Sequence, residues 1–244
     1  MYTTFTEVPL TGPSKASYEE LEKWTEPLLK EFCHNVDYNE ALKEIGEKFS
    51  PETITQFVEI VLNQVLEQSD KARSLTGNLL SQLVKKHMVT ERQYMEGLNV
   101  LLSMAEDLLV DIPKLWDFMA QIVAPVLSSG CLGLKILKDS ATAANLHSGE
   151  LGKRCAAGKY AAAVLHEMGK SGHIAVAKMW GESGLQWSDF LTPDTSVEEF
   201  LLSNKLEWTV DGQSGDDGLG DHVGGELSDD SLGREIRKVL ESNR

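Results

Sequence analysis

Three observations predict an all-α fold of stacked antiparallel helix pairs for this chain. Apolar residues recur at three- and four-residue spacing from about residue 17 to 205. β-Branched residues follow the same spacing rather than alternating, and no Asn-Gly or Asp-Gly turn joins two strand-like runs. Spacers between the helical stretches are short, as they are between antiparallel neighbours. Helix pairs of roughly 35–45 residues suit a HEAT-like α-solenoid, although no internal self-similarity marks a repeat outright.

Each element has a local cause. Ser17-Tyr-Glu-Glu20 is a capping box ahead of a stripe of Leu21, Trp24, Leu28 and Phe32. Asp37 with Glu40 opens a second helix burying Leu42, Ile45 and Phe49. Ser50-Pro51 reads as an N-cap with proline at the first helical position. The helix it starts has the cleanest period in the chain: Ile54, Phe57, Val58, Val61, Leu62, Val65, Leu66. Ser69 starts a fourth helix with Leu75, Leu79, Leu80, Leu83 and Val84 on one face. Thr90-Glu-Arg-Gln93 is a second capping box, and Tyr94, Leu98, Leu101, Leu102 and Ala105 turn inward behind it. A further helix follows Pro113 and ends near Ser128–Gly130, with a kink or early stop expected at Pro125. Helices are expected at about 132–145, 149–169, 173–182 and 196–205, with a short turn around Trp187–Leu191. The small residues Ala156-Ala-Gly158 and Ala161–Ala163 permit close packing, and Trp116, Trp180 and Trp187 are expected in the core.

Outside 17–210 the composition changes. Residues 1–16 are expected to be a flexible N-terminal segment. Residues 211–230 hold seven acids, many glycines and no Lys or Arg, which is the composition of a linker. Residues 231–244 regain helical spacing through Leu232, Ile236, Val239 and Leu240, and are expected to form a C-terminal helix that opens a further helical domain.

Composition narrows the function. At 244 residues and 41% hydrophobic the chain can bury a substantial core. No apolar run is long enough for a membrane span, and no membrane partner is expected. Cys33, Cys131 and Cys155 fit neither a disulfide framework nor a zinc pair. The formal charge of −15 repels phosphate, so direct high-affinity nucleic-acid binding is not expected and a basic protein is the natural complement.

Catalytic motifs are missing. His34, His87, His147, His166, His173 and His222 have no metal-ligand spacing, since Lys170 stands where His166-Glu167 would need a second histidine. The glycines of 212–225 are interleaved with Asp216, Asp217 and Asp221, which suits neither a phosphate cradle nor an EF-hand. No nucleophile elbow or dinucleotide fingerprint occurs. No enzyme activity, cofactor or metal is expected.

The most informative stretch is Asp107-Leu-Leu-Val-Asp-Ile-Pro-Lys-Leu-Trp116, with the stripe Leu115, Trp116, Met119, Ile122, Val123, Val126 beginning inside it. Its pattern suggests one helix closing near Asp107 and the next opening with Asp111 as N-cap and Pro113 in the first turn. Asp107 would then sit against its own helix dipole, a position that favours a cationic partner. Spacing leaves two readings open. In the commoner one, Asp111 merely caps, worth ~1 kcal/mol, and Asp107 is a solvated acid. In the other, both acids face paired Arg or Lys side chains of a partner.

The stretch Glu106–Trp116 also resembles the signature of the MA-three domain in the translation initiation factor four-gamma scaffold family. So do Val65-Leu-Glu-Gln-Ser-Asp-Lys-Ala-Arg73, the run Asp117–Leu127, and Met179-Trp-Gly-Glu-Ser-Gly-Leu-Gln-Trp-Ser-Asp-Phe-Leu191, in the same order over roughly 17–210. The resemblance implies a non-catalytic, cytoplasmic, monomeric adaptor in translation initiation. It implies as partners the DEAD-box initiation helicase and other initiation-complex proteins. It assigns helicase binding to Asp107 and Asp111, with Asp111 capping through one oxygen and pairing through the other. Three alternatives stand beside it. One is a helicase inhibitor resembling the programmed-cell-death-four protein, which carries two copies of the domain where this chain has one. Another is the corresponding region of a splicing or ribosome-assembly factor. The third is a helical interaction scaffold for a kinase or receptor, with no helicase partner.

Overall fold

The computed structural model describes residues 8–211, which contain helices and turns and no strand. In chain order the helices are α1 Tyr18–Asn35, α2 Tyr38–Lys48, α3 Ile54–Leu66, α4 Asp70–Lys85, α5 Glu91–Ser103, α6 Ala105–Asp111 and α7 Leu115–Ser128. They continue with α8 Lys135–Ala143, α9 Gly149–Lys153, α10 Ala156–Gly169, α11 His173–Ser183, a 3-10 turn at Trp187–Asp189, α12 Val197–Asn204 and α13 Trp208–Asp211. The expected linker beyond Asp211 and the expected helix over 231–244 lie outside the described residues. The described part of 1–16 is held rather than free: Thr11 and Gly12 donate backbone N–H groups to Gly46 and Phe49 at 2.7 and 3.0 Å.

Local signals set most of the starts. Ser17 Oγ accepts from the Glu20 N–H while Glu20 accepts from the Ser17 N–H, and Thr90 with Gln93 repeats that reciprocal pair. Asp37 accepts from the N–H groups of Asn39 and Glu40, and Ser69 from that of Ala72. The Ser50-Pro51 start is displaced. Pro51–Thr53 form a turn closed by the Ser50 N–H on Thr53 Oγ1 (2.9 Å), so α3 becomes regular only at Ile54.

Two layers result. Helices α1, α3, α5 and α8 pack side by side in one, and α4, α7 and α10 in the other, with α11 and α13 continuing beyond α10. The core runs between them. Every apolar residue of the α3 stripe is buried, as are Trp116, Trp180 and Trp187. This is a HEAT-like arrangement of stacked helix pairs.

Two details hold the layers in place. Pro125 does not end α7, which runs on to Ser128. At that point α4 comes close enough that a Cβ on Gly77 would lie 2.5 Å from the Ile122 carbonyl oxygen and 2.9 Å from Pro125 Cγ. Glycine is therefore needed there for close approach. Beside it, buried Arg73 donates to Gln121 Oε1 (2.6 Å), to the carbonyls of Leu66 (2.9 Å) and Gln68, and to the Asp70 carboxylate. Its guanidinium also lies 3.7 Å above the Phe118 ring. One side chain thus ties the α3–α4 corner to α7.

The C-terminal part is closed by aromatics. Trp180 stacks on Trp187 at 4.9 Å, and Trp187 Nε1 donates to Thr209 Oγ1 at 2.9 Å, docking α13. Gly158 meets Leu191 and Phe200 where a Cβ would clash, which is the close approach its small-residue stretch predicts. The helix expected over 149–169 is broken at Cys155, a left-handed residue (φ 51°) between α9 and α10.

Candidate docking face on helix α6

Helix α6 is a separate seven-residue segment set at a corner between α5 and α7. Helix α5 stops because the Met104 N–H turns back to the Leu101 carbonyl (3.1 Å), and α6 starts when Leu108 N–H reaches Met104 O (3.0 Å). Its end is dictated by Pro113. The residue before a proline is pushed out of the helical region, and Ile112 has φ −121° and ψ 82°. A tight turn follows, with Leu115 N–H on Ile112 O at 3.0 Å, and α7 begins.

This geometry corrects both capping expectations. Asp111 is not the N-cap of α7. It is the last residue of α6, because the Ile112 N–H still bonds to Leu108 O at 2.8 Å. Residues 112–114 separate it from α7, whose N-terminus has no side-chain cap. Asp107 does not close the preceding helix; it lies in the first turn of α6, where a carboxylate suits the dipole. The dipole-opposed acid is Asp111. The spacing misled because a helix break at Met104 places the two acids four positions apart on one helix rather than across a corner.

Four positions apart on one helix, Asp107 and Asp111 share a face. The opposite face is anchored by fully buried Ala105, with Leu108 and Leu109 partly buried against the core and Ile112 buried just beyond. The outer face carries Glu106, Asp107, Val110 and Asp111, all exposed. Among the described residues none of its three carboxylates accepts a hydrogen bond or pairs with a cation. Like charges at this spacing cost a helix roughly 0.2–0.5 kcal/mol. No cation among the described residues offsets that cost.

Other acids are employed differently. Asp37 caps α2, and Asp70 pairs with Arg73. Asp189 accepts from Lys138 Nζ (2.8 Å) and from the Gln186 N–H (3.0 Å). Burial alone would raise the Asp189 carboxyl, but those two hydrogen bonds and the Lys138 charge outweigh it and hold the carboxyl below its usual range.

Histidines are used in packing. His166 Nε2 lies 2.7 Å from the Asn204 carbonyl oxygen, and His173 stacks on Trp208 at 4.5 Å. Among the described residues no group of three or more His, Cys, Asp or Glu is placed to hold a metal, and no helix is long and apolar enough to cross a membrane. Sequence reasoning missed Glu106 and Val110 as members of the face, although a helical wheel drawn from Ala105 would have grouped them with the two aspartates.

Fold and face together define a helical-repeat protein with an acidic, unpartnered outer corner. Residues 21–133 match the family described as the MA3 domain. The chain is also similar to eukaryotic translation initiation factor 4 gamma 3 from Mus musculus, 29% identical over 96% of this chain and 14% of that protein. The Homo sapiens protein of the same name is 31% identical over 79% of this chain and 12% of its own length. Eukaryotic translation initiation factor 4 gamma 1 from Oryctolagus cuniculus is 32% identical over 92% of this chain and 15% of its length. The chain carries an MA3 domain and is similar over most of its own length to these initiation factors. It spans about one seventh of the length of these relatives.

Proposed function

We propose that this chain is a non-catalytic adaptor module of a translation-initiation scaffold and that it docks the DEAD-box initiation helicase through the outer face of α6. The observation that carries the reading is the pair Asp107 and Asp111, exposed, one helical turn apart and without a cationic partner among the described residues. Such a pair supplies charge-assisted acceptors to an Arg- or Lys-bearing surface. The similarity to initiation factor 4 gamma proteins supports the class of partner.

The physical role follows from the fold. A helicase of this class moves between open and closed arrangements of two lobes. An adaptor changes that equilibrium only by binding one arrangement better than another. A short helix pinned to a large core places its two carboxylates at fixed positions, so it discriminates between arrangements of the surface it meets. RNA contact belongs to the helicase, because the charge of −15 on this chain repels phosphate.

Titration calorimetry of the chain against purified initiation helicase tests the reading. Wild type should bind with an affinity that falls as salt rises. The double reversal Asp107→Lys with Asp111→Lys should abolish binding while the far-ultraviolet helical signal stays unchanged. Equal affinity of the double variant would remove the site assignment. An unwinding assay with wild type then reads whether docking stimulates or restrains the motor.

A further inference from the structure

The acidic face carries an apolar element that charge alone does not explain. Val110 is 79% exposed, in the middle of a helix face whose other members are Glu106, Asp107 and Asp111. On the 100° wheel Val110 lies within about 60° of Asp107 and about 100° of Asp111. Met104, at which α5 gives way to α6, is 38% exposed, and Val100 one turn earlier is also 38% exposed. Half of the exposed large hydrophobics among the described residues thus fall within eleven residues of one corner; the others, Tyr18, Ile174 and Leu202, are scattered along the sequence.

We propose that Val110 is the apolar anchor of this face, and that its partner is a protein surface presenting an apolar socket rimmed by Arg or Lys. The inference rests on the helicase-docking reading and adds a division of labour to it. The carboxylates steer encounter and set its salt dependence. Val110, once seated and shielded by them from water, sets how slowly the complex comes apart.

Charge complementarity selects this occupant. A second copy of the chain would bring Glu106, Asp107 and Asp111 against the same three residues, so a two-fold contact is repelled. Nucleic acid and anionic lipid are repelled by the same field. A surface that is basic without an apolar socket would leave Val110 stranded against charge.

The test is stopped-flow binding of the full chain to purified initiation helicase at several salt concentrations. Val110→Ser should raise the dissociation rate about tenfold with little change in association rate or salt slope. Asp107→Asn with Asp111→Asn should do the converse, lowering the association rate and flattening the salt slope. Val110→Ile, which keeps the apolar shape, should dissociate within about twofold of wild type. A Val110→Ser dissociation rate equal to wild type, on a helicase that wild type binds, overturns this inference and leaves the acidic dock standing. No binding of wild type to the helicase overturns the dock and this inference together.

Discussion

Two corners of this molecule carry aspartates, and they use them in opposite ways. At the α3–α4 corner, Asp70 is joined to Arg73, whose side chain is 3% exposed and whose remaining donors satisfy the Leu66 and Gln68 carbonyls and Gln121. At the α5–α6–α7 corner, Asp107 and Asp111 are exposed and meet no cation among the described residues. Burial accounts for the difference. A cation placed in the core must have its donors satisfied, so the sequence around Arg73 supplies acceptors from three elements. An acid on a solvent face is satisfied by water, and the fold places no demand on what surrounds it. The first corner is therefore read as structure, whereas the second is free to be read by another molecule.

The largest effect expected from breaking this contrast is at Arg73. Arg73→Ala leaves buried carbonyls unpaired and opens a space against Phe118, at a cost of about 3–5 kcal/mol. For a domain of this size that is a fall of roughly 6–20 °C in Tm, measured by calorimetry or circular dichroism. An unchanged Tm would mean that the clamp does not hold the α3–α4 corner to α7.

Asp70→Ala should cost much less, under about 1 kcal/mol, because its carboxylate is 79% exposed and contributes only a screened interaction. A loss as large as that of Arg73→Ala would show that the carboxylate, not the carbonyls, holds the guanidinium.

At the other corner, Asp111→Ala should change stability by no more than about 0.5 kcal/mol in chemical denaturation, since Asp111 caps nothing. A loss near 1 kcal/mol would restore the capping role that the spacing suggested.

Asp111→Lys sharpens the comparison further. It places an acid four residues before a lysine and a cation at a helix C-terminus, both favourable, so the fold should gain roughly 0.3–0.5 kcal/mol. Helicase binding should be lost in the same variant. A substitution that stabilises the protein while removing docking would identify Asp111 as retained for the partner at the expense of the fold.

How much of this was legible in advance differs by element. Ser17 with Glu20, Ser69, and Thr90 with Gln93 state their helix starts within four residues, and the α3 stripe states its buried face by period alone. These signals are local, and tertiary contacts reinforced them. The candidate acids were also visible as residues, because charge and spacing need no structure to be noticed. Their placement was not. Leu102-Ser-Met-Ala105 is compatible with an uninterrupted helix, so no local propensity demands a break at Met104. The same holds at Cys155, where the left-handed turn between α9 and α10 has no glycine to announce it.

By itself, then, the sequence determined that the chain is helical, where most helices begin, which faces they bury, and that two aspartates flank Leu108-Leu-Val110. Tertiary packing decided the rest. Burying Ala105 and Ile112 against the core, with Pro113 forbidding the helix to continue, cut out α6 as a separate segment and turned both acids outward on one face. Caps and periods act over four or five residues, whereas the direction a chain takes after a break depends on which distant side chains it must meet.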